Sequence, residues 1–158
     1  MALTAVFLDA GPLSEIVRRP GQRPEADACR LWFSTLITSG VPVRVAEVTD
    51  YEVRRELIRS GKQSSIRRLD ALLLSADRYL PISTEAMREA ANLWATARNS
   101  GLATAPPEAL DGDVIFAAQV RSWAVNEGIP LSEVMIATTN VTHISRYAPA
   151  DLWTNIHI

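Results

Sequence analysis

Two runs of four unbroken apolar residues constrain this fold most: Ala5-Val6-Phe7-Leu8 and, far downstream, Val134-Met135-Ile136-Ala137. Such short runs, bounded by turn formers, read as buried strands. Around them the pattern keeps switching to helical spacing. Residues 12–18 suggest a short helix, stopped by Arg19-Pro20-Gly21, and Glu25–Thr38 a longer one, stopped at Ser39-Gly40. Val41–Val45 reads as a strand. Residues 50–60 and 63–75 read as helices, the second with Ile66, Leu69, Leu72 and Leu73 on one face. Tyr79–Ile82 suggests a strand, Thr84–Asn99 a helix, Ala103–Pro107 a loop, 112–126 a helix and Leu152–Ile156 a last strand. Strands that alternate with helices imply a parallel sheet with helices on both faces. In such sheets ligands bind beyond the carboxyl ends of the strands. Asp9 stands at one such end, and Thr139-Asn140 just past another.

The chain has 158 residues, 47% hydrophobic and 22% charged, which predicts one globular domain over 1–158. No stretch approaches the ~18 apolar residues of a membrane span. No basic, then apolar, leader opens the chain. A single cysteine, Cys29, cannot close an internal disulfide or build a zinc cluster. That fits a reducing compartment, and the cytoplasm is the expected location.

Net charge is −2, so composition alone does not announce a nucleic-acid binder. The distribution says more. Arg54, Arg55, Arg59, Lys62, Arg67 and Arg68 lie within residues 54–68, against Glu56 alone. Arginine holds phosphate bidentately. The plainer reading is a solvated helix face; the run reads as short of the acidic partners such faces often carry.

Asp9, Glu52, Asp111, Asp113 and Asn140 stand at strand ends or helix starts. Each has a local explanation. Thr49-Asp50-Tyr51-Glu52 fits a capping box. Asp111 suits an N-cap, Asp113 a first helical turn, Asp9 a cap for the helix after it, and Asn140 a turn. Capping does not explain why acidic groups from distant segments should converge on one sheet edge. A metal site does: Mg²⁺ and Mn²⁺ prefer carboxylate oxygens, and crowded carboxylates stay ionised only beside a compensating cation.

Four segments, "VFLDAGPLS", "TDYEVRREL", "DGDVIFAAQ" and "IATTN", occur in the order of the motifs of PIN-domain proteins, and the chain resembles that family, including its VapC-like toxins. The resemblance implies a three-layer α/β/α sandwich around a parallel sheet of four to five strands. It also implies a Mg²⁺- or Mn²⁺-dependent ribonuclease. Matched position by position, Asp9, Glu52 and Asp113 are the acids, with Asp111 in an outer role. Asn140 falls where many members carry a fourth acid; it brings a carbonyl oxygen and no charge. Thr139 matches a hydroxyl position that orients water or a carboxylate. His143 is left outside the expected site, since a lone histidine is more often a surface or core residue. Arg54, Arg55, Arg59 and Lys62 are the expected RNA contacts, with Arg18, Arg19 and Arg23 competing. RNA, a small antitoxin and a second copy of the chain are the implied partners.

Two other readings stay open. A catalytically weak PIN-fold module would bind RNA or protein without cutting. A phosphotransfer fold would use Asp9 as nucleophile, but it commonly wants a second aspartate two residues on, where this chain has Gly11.

Overall fold

A computed structural model describes residues 2–75, 77–102, 106 and 111–158. The expected loop at Ala103–Pro107 lies outside the described residues except at Pro106. Within the described residues five strands, β1 (Ala5–Leu8), β2 (Val43–Ala46), β3 (Tyr79–Leu80), β4 (Val134–Ala137) and β5 (Ala150–Asp151), form one sheet in the order β3-β2-β1-β4-β5. Every pairing is parallel. Among the described residues seven helices join them: α1 (Ala10–Val17), α2 (Pro24–Thr38), α3 (Glu47–Arg59), α4 (Gln63–Leu73), α5 (Thr84–Asn99), α6 (Gly112–Glu127) and α7 (Val141–Ile144).

The central strand shows why the sequence reads so plainly at its start. Side chains alternate across a strand. Val6 and Leu8 pack with Leu13, Ile16 and Val17 of α1 and Leu36 of α2, while Ala5 and Phe7 pack with Phe116, Val120 and Trp123 of α6. Both faces of β1 are therefore covered, and all four of its residues have no exposed surface. α5 adds to α6 through Ala90 and Ala97 against Val114, Ala117 and Ala118. Helices on either side of the sheet make the three layers.

The chain winds outward from β1 to β2 and β3, then crosses back to add β4 and β5 on the other side. The strand order thus reverses between β1 and β4, which opens a crevice at their carboxyl ends. Ala5 to Leu8 lie opposite Val134 to Ala137 in register, so Asp9 follows directly across from Thr138.

Several expectations shift, among them the second strand, which begins at Val43 rather than Val41, and the first helix, which begins at Ala10. The last strand is Ala150–Asp151, and Trp153–Asn155 forms a 3₁₀ turn where Leu152–Ile156 was expected to extend. That turn docks on α2: the Trp32 indole donates to the Ile156 carbonyl at 2.9 Å and packs on Trp153. The third strand stops at Leu80. α3 begins at Glu47 with Ala46 as its cap, so Thr49 lies inside the helix and buried. The capping box expected at Thr49–Glu52 does not form, because β2 delivers the chain directly into the helix. No helix among the described residues is long and apolar enough to cross a membrane.

Candidate active site

Asp9 ends β1 and caps α1. Its Oδ1 accepts the Ala10 amide at 2.8 Å, and its Oδ2 accepts the Thr138 hydroxyl at 2.6 Å. The side chain is held from two sides and is 8% exposed. The strand register explains the partner: the residue opposite Asp9 is Thr138, whereas the sequence reading assigned the orienting hydroxyl to Thr139. Thr139 is exposed, and its own Oγ1 would lie 2.9 Å from a Cβ placed on Gly11. A side chain at position 11 would therefore require Thr139 to move.

Glu52 comes from the second turn of α3 and Asp113 from the first turn of α6. Their carboxyls are pushed above the ordinary range. For Glu52, burial acts first, then the charges of Asp9 and Asp113, with Arg55 offsetting part of the rise. For Asp113, burial again leads, followed by Asp9 and Asp111, while His143 when it carries its proton and the Asn140 hydrogen bond act in the other direction. The charge of Asp9, at the end of β1, thus reaches the acids of both α3 and α6 across the crevice. Gly112 makes the approach of α3 to α6 possible, since a Cβ there would overlap Glu52 Oε1. Asp111 caps α6 by accepting the Val114 amide at 3.2 Å, as its local reading predicts.

Asn140 follows β4 and turns its amine to Asp113: Nδ2 donates to Oδ2 at 2.9 Å. A carboxylate only accepts, so the atom of Asn140 facing it is the NH₂. The carbonyl oxygen, which the sequence reading offered to a metal, is not the atom turned to the acid. Asn140's own amide donates to Thr138 Oγ1 at 2.8 Å, so one hydroxyl links the Asp9 and Asn140 arms of the site. His143, left out at the sequence level, lies with Nδ1 3.2 Å from Asn140 Nδ2. The signal for it was the spacing: residues three apart, on a helical turn that starts where a strand ends, share a face.

Among the described residues no three His, Cys, Asp or Glu side chains gather closely enough to enclose an ion. The donor chemistry nevertheless fits a hard divalent cation. All three acids offer oxygen, and Glu52 and Asp113 carry the raised pKa values that a nearby cation would relieve. An ion that keeps several of its waters does not need three direct protein ligands at once.

The basic stretch is less free than the sequence suggested. Arg54 is held by Asp50 at 3.0 Å and by Asp70 of α4 at 2.8 Å, and Arg59 pairs with Glu56. Both acids on Arg54 lie outside the 54–68 window, and the bridge to Asp70 ties α3 to α4. Arg55 lies over the Tyr51 ring and acts on Glu52. Arg18, Arg19, Arg59 and Lys62 line a groove of about 750 Å³ between α1 and the α3–α4 turn, which Glu56 also lines.

No family model and no curated protein matches this chain. Solved structures do. FitAcB from Neisseria gonorrhoeae matches with TM-score 0.64 and 19% identity over 96% of this chain and 99% of the other. VapBC2 from Rickettsia felis, bound to a DNA fragment from its promoter, gives 0.68 and 14% over 94% and 98%. VapBC-1 from nontypeable Haemophilus influenzae gives 0.58 and 15% over 96% and 99%. Over nearly its whole length, this chain shares with these structures a common fold: an all-parallel sheet of five strands flanked by helices.

Proposed function

We propose that this chain is a metal-dependent endoribonuclease and the toxin of a toxin–antitoxin pair. One observation carries the reading: Asp9, Glu52 and Asp113 come from three separate elements to the β1/β4 switch point, where Asp9 and Asp113 push the Glu52 carboxyl up and Asp9 pushes up that of Asp113. Asp9, Glu52 and Asp113 would hold a Mg²⁺ or Mn²⁺ ion. Such an ion supplies an activated water and neutralises charge that grows on the phosphoryl oxygens. Thr138 and the Ala10 amide fix the Asp9 carboxylate for that task, and Asn140 fixes Asp113. The cationic groove beside α1 offers the RNA backbone a path, with Lys62 and Arg59 better placed than the doubly paired Arg54. The likeness to VapBC structures supports a small antitoxin partner, and dimerisation of the chain accords with the family resemblance.

The test is cleavage of end-labelled single-stranded RNA in Mn²⁺, Mg²⁺ or EDTA, with Asp9→Asn in parallel. Cleavage that requires metal and is lost in the variant is expected. Cleavage that persists in EDTA or in Asp9→Asn rejects the assignment. A second reading, a module that binds RNA and cuts slowly or not at all, draws on the open spacing of the acids as they stand. RNA held equally well with and without Mg²⁺, and never cut, would favour it.

A further inference from the structure

Asn140 carries two amine hydrogens and faces two acceptors. One goes to Asp113 Oδ2, at 2.9 Å, where the carboxylate fixes which end of the amide is the amine. The same nitrogen lies 3.2 Å from His143 Nδ1. An amine has only hydrogens to offer, so a neutral ring must present Nδ1 as acceptor and keep its proton on Nε2. We infer that His143 belongs to the site: Asn140 holds its imidazole in the Nε2–H form, which gives a phosphodiester oxygen of bound RNA a hydrogen-bond donor. The substrate part of this inference rests on the RNA-binding half of the proposed function.

The side chains already described around the crevice explain why such a donor matters. Asp9, Glu52 and Asp113 repel a phosphate and only accept. Thr138 spends its proton on Asp9, and Asn140 directs its amine to Asp113 and His143. His143 is half-buried on α7, one turn past Asn140, and no described residue accepts from its Nε2. Asn140 therefore orients two neighbours at once, an acid on one side and a donor on the other. It is a positioning residue in this arrangement.

The protein has only two histidines, His143 and the exposed His157, so the ring forms can be read separately. Long-range proton–nitrogen NMR on ¹⁵N-histidine protein, at about pH 8.5 where an ordinary imidazole is neutral, should show His143 locked as Nε2–H. His157 serves as the free-ring standard. Asn140→Asp replaces the amine with an acceptor and should move the proton of His143 to Nδ1. A wild-type ring indistinguishable from that of His157, or one unmoved by Asn140→Asp, overturns the inference.

The second measurement is RNA affinity by fluorescence anisotropy, with Ca²⁺ replacing Mn²⁺ so that binding is read apart from cutting. His143→Ala should weaken binding about tenfold, the size of one hydrogen bond to a charged oxygen. His143→Gln, which keeps an N–H at similar reach, should recover most of it. Unchanged affinity in His143→Ala overturns the inference even if the wild type cuts RNA. A tenfold loss of Mn²⁺ affinity in His143→Ala, read by calorimetry, also overturns it by making the ring a metal ligand. Wild-type protein that binds RNA with the expected His143 dependence but never cuts it would reject the ribonuclease reading and leave this inference standing.

Discussion

At Gly112 the chain has no room for a methyl group, and the space is filled by the Glu52 carboxylate. The far end of a flexible side chain can move aside, so Gly112→Ala should fold normally. The alanine even favours the helix, by up to about 1 kcal/mol. What should suffer is the position of Glu52. Cleavage is expected to drop by as much as about a hundredfold, the cost of misplacing a reacting group by roughly 1 Å. Melting temperature and RNA cleavage measured on one preparation check this; loss of both together would make Gly112 a structural residue. A second expectation concerns pH. Glu52 and Asp113 hold their protons more tightly folded than unfolded, because burial and neighbouring negative charge raise both. Stability in EDTA should therefore fall as pH rises through their folded pKa values. It should be regained on acidification towards their ordinary values of 4.5 and 3.8. Below those values both states are protonated and these two groups contribute no further change. Urea denaturation across this range should show the slope, and Glu52→Gln should flatten it. Because Asp27 and Glu56 are shifted the other way, the difference between wild type and Glu52→Gln is the readout, and identical slopes in the two would contradict the raised Glu52.

At the scale of elements, the site depends on how α3 and α6 are held. Gln119 of α6 is 1% exposed; its Oε1 accepts the Val48 amide at 3.2 Å and its Nε2 donates to the Leu80 carbonyl at 3.0 Å. One side chain thus satisfies the start of α3 and the end of β3. Gln119→Leu strands both backbone groups and should cost up to about 6 kcal/mol, since each orphaned group costs ~1–3 kcal/mol, the part-buried Leu80 carbonyl towards the lower end. Chemical denaturation reads this, and a loss under 1 kcal/mol would mean water replaces the amide. Arg54, by contrast, spans Asp50 and Asp70 at a partly exposed position. Arg54→Ala is expected to cost no more than about 1 kcal/mol and to leave the salt dependence of RNA binding unchanged. Lys62→Ala should shallow that dependence. Equal effects of the two would restore Arg54 as a phosphate contact. These elements also show what was legible. Ala5–Leu8 and Val134–Ala137 declared themselves because strands buried on both faces carry no polar interruption. The end at Ala150–Asp151 did not, because a two-residue edge strand has no period to detect. The start of α3 was hidden because β2 and packing, rather than a polar cap, set it. Asp9, Glu52 and Asp113 could be named from local motifs. Thr138 in place of Thr139 required the β1–β4 register.

For the whole molecule, a bound cation should act as a folding ligand. At a hundred times its dissociation constant, Mn²⁺ should add about 2.7 kcal/mol, or roughly 5–10 °C in melting temperature for a domain of this size. Asp9→Asn should abolish most of that rise, and scanning calorimetry with and without Mn²⁺ decides it. A wild type that melts at the same temperature in Mn²⁺ and EDTA would leave the acids without an ion to hold. The order β3-β2-β1-β4-β5 has another effect, in time rather than in space. The hydrogen bond from Thr138 to Asp9 joins residues 129 positions apart. On the ribosome, at about 5–20 residues per second, the first half of the site waits some 6–25 s for the second. Throughout that interval α1, α2 and β2 can gather on β1, but Asp9 lacks the partner that orients it. Orientation of Asp9 therefore waits for the β4 segment, and a chain interrupted before β4 lacks the hydroxyl that fixes that carboxylate.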